Sequence, residues 1–428
     1  MIVEQQGISP FASFDCSDEN KILLDKSFAR IAPKFQEIDT NQILNEKKIL
    51  EVFRETKLNN AHFQWNTGYG YDDLGRDQVE TIYARLFRAE AALVRPMIAS
   101  GTHALALTLR GILLPDEEVV SITGTPYDTL LKVLGVSGDE PGNLKEQRIG
   151  FRQLPLSESG KIQVDQLSDF LTDNTKVVMI QRSTGYAVRP AIRMDEMKSA
   201  IESVRSIAPN AIIMVDNCYG EFVEELEPVE IGADLAVGSL IKNPGGGLAL
   251  SGGYVVGKEH LVNRIANFLT APGVGKECGL TFGQSRSILQ GLFLAPQSVS
   301  NALKSALLFA SVFEELGYET YPKALDPRGD IVQTILLRNP KHVEVFCESI
   351  QKSSPVDAYV RPIPWAMPGY SDPVIMAAGT FIQGASIELS ADAPMREPFA
   401  VYVQGGLIFT QALYAVSEMI DYFQQAQE

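Results

Sequence analysis

Cysteine is scarce and scattered in this chain. Cys16, Cys218, Cys278 and Cys347 lie far apart, form no C-x-x-C pair and join no tight cluster with the four histidines. Neither a disulfide framework nor a zinc site is signalled, and a reducing cytoplasm fits. Positive charge is also short, with 37 Lys and Arg against 53 Asp and Glu and a formal net charge of −16. Phosphate backbones and anionic membranes need clustered Lys and Arg, so neither nucleic acid nor a membrane surface is expected as a partner. No apolar run is long enough to span a bilayer, and the opening "MIVEQQGISPFASFDCSDEN" has neither a basic n-region nor an apolar h-region. The expectation is a cytoplasmic protein.

What is present is ordinary globular material: 45% hydrophobic and 21% charged residues over 428 positions. Single cores stop growing near roughly 250–300 residues, so two domains are expected. "SFARIAPKFQEIDTNQILNEKKILEVFRETKL" spaces its apolar residues at three and four and reads as helices broken at "DTNQ", an N-terminal helical arm over residues 1–60. A Gly- and Asp-rich loop, "NTGYGYDDLGR", precedes the helix "DQVETIYARLFRAE", which Asp77 is expected to open. Short apolar runs then alternate with helical segments: "AALVRPMIAS", "EEVVSIT", "QRIGFRQLPL", "KVVMIQRS", "NAIIMVD" and "DLAVGSLI". That alternation predicts an α/β domain over 61–315, a mostly parallel sheet flanked by helices. From 316 to 428, strands such as "GDIVQTILLRN" and "GASIELS" mix with two helices, predicting a smaller C-terminal α+β domain.

In open parallel sheets ligands bind beyond the carboxyl ends of strands, and four features fall there. "IASGTHA" places Ser100, Gly101 and Thr102 where a strand runs into a helix, a position that favours a phosphate, although a simple N-cap serine explains such a sequence more often. Asp216 ends the buried strand of "NAIIMVDNCYG", where a carboxylate needs a partner. Lys242 follows "DLAVGSLI", three residues after Ser239 and just before three glycines that permit close backbone approach. Tyr127, after "EEVVSIT", could cover a flat ligand or be an ordinary half-buried tyrosine. Lysine forms Schiff bases with carbonyls. Together the four converge on pyridoxal phosphate (PLP), which needs a lysine for its aldehyde, an acid for its ring nitrogen, a phosphate cradle and an aromatic plate. No metal ligand set emerges, and "ELEPVEIGAD" reads as a solvated acidic loop.

On "NTGYGYDDLGRDQVE", "ALVRPMIASGTHAL", "TGTPYDTL", "QRSTGYAVRP", "VDNCYGEF", "GSLIKNPGGG" and "GASIELSADAPMREPFAVYVQGG", spread from Phe53 to Gly406, the chain resembles the Cys/Met-metabolism PLP-dependent enzymes of fold type I. Within them it looks like the aluminium-resistance branch, which is similar to cystathionine β-lyase and methionine γ-lyase. The resemblance implies Lys242 as the Schiff-base lysine, Asp216 as the pyridinium partner and Tyr127 as the stacking ring, with Ser100, Gly101, Thr102 and Ser239 at the phosphate. It implies a homodimer or homotetramer with active sites at subunit interfaces, where Tyr71, beside Tyr69 and Arg76, would reach a neighbouring phosphate. Arg396 is the candidate for the substrate carboxylate, with Arg182 and then Arg189 as runners-up. The implied activity is β- or γ-elimination on a small sulfur-containing amino acid such as cystathionine or methionine. Transamination, a PLP-binding stress or regulatory role with little turnover, and nucleotide binding at "SGTHAL" are the alternatives in that order.

Overall fold

The computed structural model describes residues 9–426. In chain order its regular elements are α1 (Asp18–Glu55), α2 (Leu74–Leu86), β1 (Ala91–Arg95), α3 (Gly101–Ile112), β2 (Glu118–Ser121), α4 (Asp128–Leu134) and β3 (Gly150–Gln153). There follow α5 (Leu167–Phe170), β4 (Thr175–Gln181), α6 (Met194–Ile207), β5 (Ile212–Asp216), β6 (Leu235–Ser239), β7 (Gly253–Gly257), α7 (Glu259–Leu269) and α8 (Ser285–Glu315). The remainder is β8 (Glu319–Tyr321), β9 (Val332–Leu336), α9 (Pro340–Lys352), β10 (Val374–Ala377), β11 (Ser390–Pro394), β12 (Ala400–Gln404) and α10 (Phe409–Gln425).

The first sheet has the order β1-β7-β6-β5-β4-β2-β3, and only β7 runs against its neighbours. Its inner strands β4, β5, β6 and β7 read as nearly unbroken apolar runs because both faces are covered, while the edge strand β3, "GFRQ", is only half-buried. In β4, Val177 and Met179 pack beneath α3 and α7, whereas Val178 and Ile180 face α6. A second sheet, β10-β11-β12-β9-β8, is antiparallel throughout and packs on α8, α9 and α10. The expected α/β architecture with a smaller α+β unit is what the chain adopts.

Three local expectations fail for identifiable reasons. "DTNQ" does not break the arm, because α1 runs unbroken through Asp39–Gln42. Its would-be capping groups are engaged elsewhere: Thr40 donates to the Gln36 carbonyl one turn back, and Asn41 donates to the carbonyls of Phe222 and Val223. Helix α2 opens at Leu74, three residues before Asp77, with Asp73 accepting the Arg76 N–H as the cap. In "GASIELS" the ladder starts only at Ser390, because the Glu388 carboxylate takes the N–H groups of Phe381 and Ile382 and folds the chain back before it.

The acidic loop is also not solvated. Glu227 and Asp234 are buried, Glu227 accepting from Phe222 N–H and Asn217, and Asp234 pairing with Arg205 and Lys258.

Candidate active site

The carboxyl ends of β4, β5 and β6 and the amino end of α3 open into one cavity of about 260 Å³, closed from the other side by Asp392 of β11 and by Tyr370 and Gly384 of the loops flanking β10. Seven of the residues singled out from the sequence, Ser100, Gly101, Thr102, Tyr127, Asp216, Ser239 and Lys242, line it.

The floor is set by α3. Ser100 caps the helix through its hydroxyl, which accepts the His103 N–H at 3.0 Å, so its side chain serves the helix and leaves the free amides that follow to face the cavity. Gly101 keeps the approach to Cys218 open: a Cβ there would stand a tight 3.2 Å from Cys218 Sγ. Thr102 Oγ1 bridges the Tyr127 hydroxyl at 3.0 Å and Thr129 Oγ1 at 2.9 Å, fixing the tyrosine ring, whose backbone N–H is held by Gln181 Oε1. Burial, then the Asp216 charge, raise the Tyr127 hydroxyl well above the usual phenol range, so at neutral pH it is a proton donor.

Asp216 is buried at the end of β5, its Oδ1 accepting the Cys218 N–H at 3.2 Å. Burial pushes its carboxyl up, while Cys218 and Lys242 pull it back. Lys242 stands in the turn after β6, its Nζ 3.5 Å from the centre of the Tyr219 ring and 3.4 Å from Ser386 Oγ. Burial lowers the ammonium, but Tyr219, Cys218 and Asp392 together outweigh it and hold Lys242 above the ordinary lysine range.

The three glycines after Lys242 answer to packing rather than to a ligand. A Cβ on Gly245 would meet the Leu240 carbonyl at 1.8 Å, and one on Gly246, at φ +52°, would meet the Gly291 carbonyl of α8 at 2.2 Å. The loop is pressed between its own strand and a long helix, and that clamp fixes where Lys242 leaves the chain.

Other expected residues lie apart. Arg182 is fully buried and donates to Asn217 Oδ1 at 2.9 Å and Glu224 Oε2 at 3.0 Å, away from the cavity. It braces the segment after β5 and is not placed to hold a substrate carboxylate. Arg189 is equally committed, to the carbonyls of Gln181, Ser183 and Pro190. Arg396 sits at the rim, bonded to Asp372 at 2.9 Å and Asp128 at 3.5 Å. Tyr71 is 59% exposed and stacks beside Tyr69 with ring centres 5.5 Å apart, outside the cavity of its own chain. Arg76 holds that loop through the carbonyls of Gly70, Glu277 and Gly279.

Sequence reasoning missed Tyr219, Tyr186, Tyr370 and Asp392, which also line the cavity. Tyr219 was within reach, because it lies three residues after Asp216 in a quoted motif and takes φ +70°. Tyr186 and Asp392 also fall within quoted motifs, but nothing in their spacing ties them to the cavity, and Tyr370 lies in a loop outside every motif.

Residues 20–424 match the family model for methionine gamma-lyase, nearly the whole chain. The chain belongs to the methionine gamma-lyase family. A Bacillus subtilis protein, YnbB, itself of uncharacterised role, is 48% identical over 400 residues, 93% of this chain and 95% of its own. A crystal structure from Clostridium novyi, described as a carbon-sulfur lyase involved in aluminium resistance, is 42% identical with a TM-score of 0.92, covering 96% of this chain and 97% of that one. A Listeria monocytogenes structure, provisionally named a cystathionine beta-lyase involved in aluminium resistance, is 47% identical with a TM-score of 0.91 over 94% and 99% of the two chains. At greater distance, a pyridoxal-5'-phosphate-dependent Escherichia coli protein at 16% identity and TM-score 0.58, covering 92% of this chain and 96% of its own, shares the fold, that of fold type I.

Proposed function

We propose that this family member is a PLP-dependent carbon–sulfur lyase that eliminates a thiol from Cβ or Cγ of a small amino acid. The observation that carries the reading is that Lys242, Asp216 and the amino end of α3 meet in one cavity. The residues fit the cofactor. Gly101 leaves clearance that any Cβ would fill, the amides opening α3 and the Ser239 hydroxyl suit a phosphate, and Asp216 is a buried carboxylate that a protonated ring nitrogen would neutralise. Tyr127 would cover the ring, and Lys242 would take the aldehyde. When bound, PLP supplies an electron sink for a bond broken at the substrate Cα.

The chain's own groups then divide the proton work. With its amine free, Lys242 takes the Cα proton onto Nζ, and the Tyr219 ring at 3.5 Å stabilises the ammonium that results. Tyr127, kept neutral and oriented by Thr102, is the donor toward the departing sulfur. The products would be a thiol, ammonia and a 2-oxo acid. A second copy of the chain would complete the site through the exposed Tyr69 and Tyr71 loop.

The test is the visible spectrum of the purified protein, followed by borohydride reduction, peptide mapping and an amino-acid panel. A yellow protein labelled at Lys242 that releases thiol with oxo acid supports the reading. Oxo acid that appears only with an added keto acid points to transamination. A colourless protein that takes up no PLP, or a label on another lysine, overturns it.

A further inference from the structure

Charge in the cavity is unbalanced. Among the described residues its wall carries three carboxylates, Asp128, Asp216 and Asp392, against one lysine and no arginine. If the reading above holds, two of the three are accounted for: Asp216 by a protonated ring nitrogen and Asp128 by Arg396 at the rim, 3.5 Å away. Asp392 is different. It projects from β11 of the second sheet, accepts Gln404 Nε2 at 3.3 Å and the Tyr186 hydroxyl, and faces the charge of Lys242. With Lys242 held by the aldehyde, as it would be when a substrate arrives, Asp392 would keep two neutral donors, Gln404 and Tyr186, but no free ammonium. Burial raises the Asp392 carboxyl above the ordinary carboxylate range, and as an anion it is costly in that state unless a cation joins it.

The surroundings indicate what would relieve it. Tyr186 and Tyr370 line the same side with ring centres 5.7 Å apart, and Tyr402 backs Tyr186 at 5.1 Å, its hydroxyl bonded to the Tyr186 carbonyl. A carboxylate set beside aromatic rings is the chemistry that receives an organic cation. The substrate α-amino group cannot serve, because it is the group that reacts.

We infer that Asp392, with the Tyr186 and Tyr370 rings, forms a subsite for a second positive charge, so that the preferred substrates are thioether amino acids whose side chain ends in a cation. This rests on the lyase reading and narrows it away from neutral side chains.

The experiment compares S-(2-aminoethyl)-L-cysteine with S-propyl-L-cysteine, which differ by an ammonium against a methyl at the end of equal chains. The measured quantity is relative kcat/KM on the PLP-loaded protein by thiol release, or the calorimetric Kd for a compound that is not turned over. Loading is followed separately by visible absorption. Wild type should favour the aminoethyl compound by about 10-fold or more, the scale of one hydrogen-bonded charge pair. Asp392→Asn, which keeps the shape and an acceptor for Gln404, should reduce that preference to within about 3-fold, about 0.7 kcal/mol. A loaded protein with no preference, or one whose preference survives Asp392→Asn, overturns the subsite and leaves the lyase reading standing. A protein that never loads PLP overturns both. The wild-type comparison needs no variant, so a misfolded Asp392→Asn protein would not decide the matter alone.

Discussion

Lys242 has its amine over a tyrosine face and its backbone in a clamped turn, an environment unlike that of a solvated surface lysine. Lys242→Ala should lower turnover by about 10²–10⁴-fold, the range for losing a general base, and abolish borohydride labelling while PLP still binds reversibly. Dialysis before measuring absorption separates the two effects. Gly101→Val tests the cradle: its Cβ begins 3.2 Å from Cys218 Sγ, so the bulk falls into the space assigned to the phosphate. PLP affinity should drop about 10-fold or more while the far-UV spectrum is unchanged, one lost charge-assisted contact being enough for that factor. Retention of wild-type affinity would place the phosphate elsewhere.

At the scale of elements, the clamp on the lysine turn depends on α8. A Cβ on Gly291 would stand 2.1 Å from the Gly245 carbonyl, so Gly291→Ala must push the turn or the helix aside. The expected cost is about 1–3 kcal/mol, as for overpacking elsewhere, with weaker PLP retention because Lys242 leaves from the displaced turn. Chemical denaturation and absorption after gel filtration would check both. This relation also marks what could be read from sequence. Asp216, Ser239 and Lys242 were legible because each ends a short apolar run, and strand ends in an α/β sheet converge by topology alone. The function of the glycines was not, since the helix that compels them lies about 45 residues further on and spacing carries no trace of it. Asp392 was hidden for the same reason, reaching the cavity only because a second sheet packs there. Arg182 misled because a basic residue at a strand end serves equally well as a brace inside the protein, here to Asn217 and Glu224. "DTNQ" misled because capping side chains found partners outside their own helix.

The whole molecule carries a pH signature away from the cavity. Glu221 is fully buried behind the turn, accepts the Tyr254 hydroxyl at 2.7 Å, and leaves Oε2 without a partner among the described residues. Burial pushes its carboxyl up to about 8. The folded state therefore holds a proton that the unfolded chain releases near the ordinary glutamate value. Stability from this group is fully present below that value, declines as pH rises toward about 8, and levels off above it. Glu221→Gln keeps an acceptor for Tyr254 and cannot ionise. Its Tm should exceed that of wild type by several degrees at pH above 8 and converge with it near pH 5, measured by calorimetric scans across that span. Equal slopes for the two proteins would show that Glu221 does not titrate within the fold.

Helices α1 and α8 each touch both cores. Leu24 and Ile31 of α1 pack with the second sheet, Ile49 and Val52 pack with the first, and Ile38 meets both; α8 passes in the same way from Ile288 to Phe313. At about 1.5 Å per residue, α1 alone is about 57 Å long. Lys242 and Asp392 thus face each other across a gap spanned by two helices that lie side by side and antiparallel, so the sheets are joined by more than a single hinge. Each helix has one weak point, Pro33 and Pro296, where a proline removes a backbone bond from the ladder. Any breathing of the gap would be a shallow flexing at those two places, leaving admission of a ligand to the two loops that flank β10 and carry Tyr370 and Gly384.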